Sequence, residues 1–135
     1  MPGIDESLLE AMRVPGARGV SVVDWISGLA LGAVGDAPGG DHETAAAETA
    51  ELARLTVESR TFAPADGEPA GSGNGGEPPV QDMIITSPDA YHVLRFVSTA
   101  FDSSVFVHLW LDRRDGNLAL ARIRLAEMAD RLVLG

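Results

Sequence analysis

VQDMIITSPDAYHVLRFVSTAFDSSVFVHLWL, residues 80–111, decides how this chain folds. It reads as three consecutive antiparallel strands, 80–87, 90–97 and 103–111. β-Branched and aromatic residues fill each run. Ser87-Pro88-Asp89 and residues 98–102 make short, turn-like breaks. In the second run Tyr91, Val93 and Val97 share a face broken by Arg95, and His92, Leu94 and Phe96 share the other. In the third, Val105, Val107, Leu109 and Leu111 alternate with Phe106, His108 and Trp110. Both faces are apolar, so the sheet requires a covering layer on each side.

Downstream, Asp112-Arg113-Arg114-Asp115-Gly116 is a turn, and Asn117 is placed to cap a last helix. Leu118, Ala121, Leu125, Met128, Ala129 and Leu132 fall in a single arc of about 100°, the width one sheet covers. Glu127 and Arg131 add an i, i+4 ion pair. Leu120 and Ile123 are left for the first helix or solvent.

Upstream, residues 63–79 hold five Gly and four Pro with no large apolar side chain, and read as a mobile loop. Gly71, Gly73 and Gly76 spell G-x-G-x-x-G there. A dinucleotide fingerprint needs a strand before it and a helix start after it, and Glu77-Pro78-Pro79 cannot open that helix.

At the other end, Ile4, Leu8 and Met12 share a helical face, and Val14-Pro15-Gly16 stops that helix. Residues 18–24 and 29–34 read as a hairpin around Asp24-Trp25-Ile26-Ser27-Gly28. Asp41 then caps a middle helix running to about Arg60. On its wheel Ala46, Ala50, Ala53 and Val57 form one apolar arc, and Ala45, Thr49, Leu52 and Thr56 form the next, extended by Leu55. This is roughly twice the width one sheet can cover. The helix should therefore touch something besides its own sheet.

The element order is α-β-β-α-β-β-β-α: an α+β domain with a five-stranded antiparallel sheet. The two terminal helices go on one face and the middle helix on the other. The strand carrying Met83, Ile84 and Ile85 enters from Pro78-Pro79 and is expected at an edge, where an apolar strand must be paired. A two-fold homodimer meets both demands. Its expected interface is Ala45, Thr49, Leu52, Leu55 and Thr56 with Met83, Ile84 and Ile85.

At 135 residues the chain reads as one domain, 1–135. A formal charge of −10 speaks against nucleic acid and anionic membranes. Cysteine is absent, which excludes disulfides and thiolate metal sites. All ten basic residues are Arg, so a Walker phosphate loop and a Schiff-base nucleophile are excluded as well. The N-terminus has no signal-peptide pattern and no apolar run reaches membrane length, so a cytoplasmic protein is expected.

The segment Val14-Pro15-Gly16-Ala17-Arg18-Gly19-Val20, the Ala-rich middle helix, residues 80–91 and residues 117–128 together resemble the roadblock family of dynein light chains and bacterial small-GTPase regulators. The resemblance implies a profilin-like fold and dimerisation through the middle helix and adjoining edge strand. It also implies a non-catalytic role, with a small Ras-like GTPase as partner, and for actinobacterial members a neighbouring sensor kinase. Residues 63–79 depart from a typical small member. The alternative reading is a small-ligand sensor of profilin/PAS-like type, cued by Phe96, Phe106 and Trp110.

Other residues invite chemistry. His42, His92 and His108 sit in different elements without H-x-x-x-H spacing, so neither metal nor cofactor is expected. Turn geometry accounts for Asp24 and for Asp102-Ser103-Ser104. Arg113-Arg114 could serve a phosphate or act in trans on a GTPase, but reads first as a solvated turn. Trp25 at a hairpin tip is equally a packed residue or a contact anchor.

Overall fold

The computed structural model describes residues 3–65, 79–97 and 104–132. The elements run α1 (Ile4–Ala11), β1 (Ala17–Asp24), β2 (Leu29–Gly35), α2 (His42–Glu58), β3 (Asp82–Thr86), β4 (Ala90–Val97), β5 (Val105–Asp112) and α3 (Leu118–Arg131). All strand pairs are antiparallel, and the sheet order is β2-β1-β5-β4-β3. β2 and β3 are therefore the two edges. Among the described residues no helix is long and apolar enough to cross a membrane.

The alternation within each strand divides the core as expected. Val20, Val22, Val93, Val107 and Leu109 bury against Leu8 of α1 and Leu125 and Met128 of α3. Val23, Leu94, Phe96 and Phe106 bury against Ala46, Ala50, Ala53 and Val57 of α2. Thus α1 and α3 cover one face and α2 the other.

The local signals act as read. Asp41 Oδ1 accepts from the Glu43 N–H at 3.0 Å, and Asn117 Oδ1 from the Leu120 N–H at 3.0 Å. Both side chains occupy donors that the first turn of a helix leaves free. Between α1 and β1 the Ala17 N–H donates to Val14 O, and Gly16 takes φ +83° behind Pro15. This is the geometry of a type II turn, which requires Gly at its third position. A Cβ on Gly16 would also lie 2.5 Å from Gly116 Cα, so this turn is locked against the one before α3.

Two boundaries differ from expectation. α2 ends at Glu58, because Ser59 becomes extended and its Oγ donates to Leu55 O at 2.7 Å; a 3-10 turn, Arg60–Phe62, follows. β2 carries a bulge: Val22 faces Gly32 but Val23 faces Ala30, leaving Leu31 as the extra residue. The bulge places Ala30 against the α2 core, while Gly32 remains beside Ile4 and Leu8 of α1.

Candidate interaction surface

The buried stripe of α2 is Ala45, Ala46, Ala50, Ala53 and Val57. Beside it, Thr49, Leu52 and Thr56 are half-buried, and Leu55 is 67% exposed. The two threonines contribute little polarity. Thr49 Oγ1 donates to Ala45 O and Thr56 Oγ1 to Leu52 O, each at 2.8 Å. With the hydroxyls returned to their own helix, the flank is effectively apolar.

This flank runs onto β3. Met83 packs into the α2-side core with its Sδ 3.5 Å from Thr56 Oγ1. Ile85 lies on the same face and is 39% exposed. Phe62, just past α2, is 56% exposed. Of the eight residues expected at the interface, seven lie on the α2 side of the sheet, but Ala45 is already buried within the subunit and adds no surface. Ile84 lies on the other side: it packs against the α1/α3 core, because strand side chains alternate.

Ile84 still contributes through its backbone. The Ser87 N–H donates to Ala90 O, and Gln81 O accepts from the Phe96 N–H. Odd-numbered residues of β3 thus direct their backbone groups at β4, and Asp82, Ile84 and Thr86 direct theirs outward. The two edges are not equivalent. β2 is interrupted by its bulge, whereas β3 pairs with β4 in unbroken register from Asp82 to Thr86. A bulge blunts an edge, and a regular strand leaves it open to pairing. At the start of β3, Asp82 Oδ2 accepts from Arg122 Nε at 3.1 Å and lies 4.0 Å from Arg95 Nη1. Arg95 Nε is buried with no hydrogen-bond partner among the described residues.

The remaining sequence candidates fall elsewhere. His92 Nδ1 and His108 Nε2 are 2.9 Å apart, joining β4 to β5 beneath α2. Burial, and then the neighbouring His92 and His42, lower the His108 pKa to about 4. Burial also lowers His92, opposed by Asp89. His42 instead meets Gly35 O at 3.0 Å, and among the described residues no three metal-ligating side chains converge. Arg113 is committed to the fold: it donates to Ser87 O at 3.0 Å and stands over Tyr91. Asp24 Oδ1 caps the Ile26 N–H, and Trp25 packs back on the α2-side core with its Nε1 buried and, among the described residues, unpartnered. Phe96 and Phe106 are buried against each other, and Trp110 lies under the Arg18 guanidinium at 3.8 Å. Gly71, Gly73, Gly76, Asp102 and Ser103 lie outside the described residues.

Among the described residues, then, a five-stranded antiparallel sheet with helices on both faces leaves one regular edge, β3, unpaired beside its middle helix. The sequence matches no family model. It matches no curated protein either. Among solved structures the chain superposes on the Roadblock/LC7 domain from Streptomyces avermitilis with TM-score 0.70 at 15% identity, covering 97% of this chain and 95% of that one. The gliding protein MglB from Thermus thermophilus gives TM-score 0.69 at 18% identity, over 98% and 90% of the two chains. An MglB with a tetrameric arrangement gives 0.69 at 19% identity, with the same coverages. The chain has the Roadblock/LC7 fold.

Proposed function

We propose that this chain is a non-catalytic homodimeric regulator or scaffold for a small Ras-like GTPase in a bacterial signalling system. The observation that carries the reading is the continuous apolar surface from Leu52 and Leu55 of α2 to Met83 and Ile85 of β3, ending on an unbroken open edge. Two copies related by a two-fold axis cover it. The antiparallel register that uses every outward backbone group sets Ile84 opposite its own copy and Asp82 opposite Thr86 of the second subunit. Met83 then meets the second copy's Ile85 on the α2 face, and the two α2 helices close over the join. The paired helices present the GTPase surface, as the roadblock resemblance implies. The tetrameric arrangement of a structurally similar MglB supports assembly through this fold.

Sedimentation equilibrium at micromolar concentration tests the assembly, with a mass twice that of the chain expected. Pull-down and GTP hydrolysis with a bacterial small Ras-like GTPase test the partner. A monomer, or a GTPase neither retained nor altered in its hydrolysis, overturns the reading.

A further inference from the structure

A second surface lies on the other side of the buried stripe of α2. The β1–β2 hairpin meets the α2-side core through Trp25 and Ala30, and a groove of about 750 Å³ runs between hairpin and helix. Ile26, Leu29 and Leu31 of the hairpin and Ala47 and Ala50 of α2 are among its lining. Ile26 is 67% and Leu29 63% exposed, unusual for large aliphatic residues so close together. The opposite wall is charged. Glu43 and Glu51 line the groove from α2, and among the described residues the one cation lining it, Arg54, is 3.3 Å from Glu51. Along its whole length α2 carries Glu43, Glu48, Glu51 and Glu58 against Arg54 alone.

Apolar hairpin and acidic helix together specify an occupant. We propose that this groove docks a cationic amphipathic segment of a partner protein, its aliphatic side chains against Ile26 and Leu29 and its Lys or Arg side chains toward Glu43 and Glu51. Charge complementarity selects this class: an acidic wall repels anionic peptides and anionic lipid surfaces alike. A further strand on the β2 edge is disfavoured, because the bulge at Leu31 interrupts the ladder it would extend. The inference does not depend on the proposed dimer, which uses the opposite flank of α2.

A fluorescein-labelled Leu/Lys amphipathic peptide is the probe, read by anisotropy against the full chain. Two controls accompany it, one with Leu replaced by Ser and one with Lys replaced by Glu. The Leu/Lys peptide is expected to bind saturably and more weakly as salt rises, with neither control binding. Ile26→Ser with Leu29→Ser, which removes the apolar anchors without adding charge, is expected to weaken binding at least about tenfold, the equivalent of losing one apolar anchor. Glu43→Gln with Glu51→Gln is expected to weaken it several-fold and flatten its salt dependence. These variants alter exposed side chains, and sedimentation of each reports separately on the dimer. Equal binding of the Lys and Glu peptides, or unchanged affinity in the hairpin variant, overturns the proposal. So does a higher oligomer lost on hairpin substitution, since a second copy would then be the occupant.

Discussion

Thr56 Oγ1 lies 3.5 Å from Met83 Sδ, so residues twenty-seven positions apart join the end of α2 to the edge strand. Through this contact the helix flank and the strand edge form one surface.

Arginine at Leu55 or Leu52 places a charge in the middle of that surface. Leu55 is exposed in the subunit, so Leu55→Arg leaves the fold unchanged. Burying the unpaired guanidinium in the proposed dimer costs on the order of 3 kcal/mol, roughly a hundredfold in dissociation constant. Sedimentation should show monomers for either variant, with the far-ultraviolet circular dichroism of the parent. An unchanged dimer places the helix faces wrongly.

Asp82 separates two arginines of different worth. Arg122 is 54% exposed, so Arg122→Ala should change stability by no more than about 0.5 kcal/mol. Arg95 is far less accessible, and Asp82→Ala removes the carboxylate paired with it among the described residues, costing about 1–2 kcal/mol. Urea denaturation compares the two; equal losses would show that Arg95 does not depend on Asp82.

The histidine pair makes stability sensitive to acid. His108 titrates near 4 in the folded chain and near its ordinary 6.5 when unfolded. Between these values the unfolded chain holds the extra proton, so stability falls as pH drops from 6.5 toward 4 and is flat from this source above 6.5. The shift is worth up to about 3 kcal/mol at 1.36 kcal/mol per unit. Urea midpoints at pH 7.5 and 5.0 should therefore separate more for the parent than for His108→Gln. Equal separations would assign the acid sensitivity to the carboxylates.

Gly16→Ala meets two obstacles, the positive φ and the close approach of Gly116. A loss of about 2 kcal/mol or more is expected, read as a fall of several degrees in melting temperature. An unchanged melting temperature would mean that the turn adjusts freely.

Much of this was legible in the residues. Strand alternation assigned Val93, Leu94, Phe106 and Val107 to their faces, and the wheel separated Ala46 and Ala50 from Leu52 and Leu55. The same alternation places Ile84 opposite Met83 and Ile85, yet grouping by apolarity put all three on one surface. The His92–His108 contact needed the β4–β5 register, which no local pattern reports. The bulge at Leu31 adjoins Gly32, and a glycine inside a strand run is a bulge signal that does not say which residue is extra. Helix α2 stops at Glu58 through the hydroxyl of Ser59, a weak signal within an otherwise helical run.

The dimer's sheet register offers the most direct test. The chain has no cysteine, so a single Ile84→Cys substitution is unambiguous. In the proposed pairing the two Cα atoms at this position stand about 5.5 Å apart, within disulfide reach. Mild oxidation should convert Ile84→Cys to a covalent dimer, while Leu29→Cys on the opposite edge stays monomeric on a non-reducing gel. No cross-link at position 84, or equal cross-linking at both edges, would contradict pairing through β3.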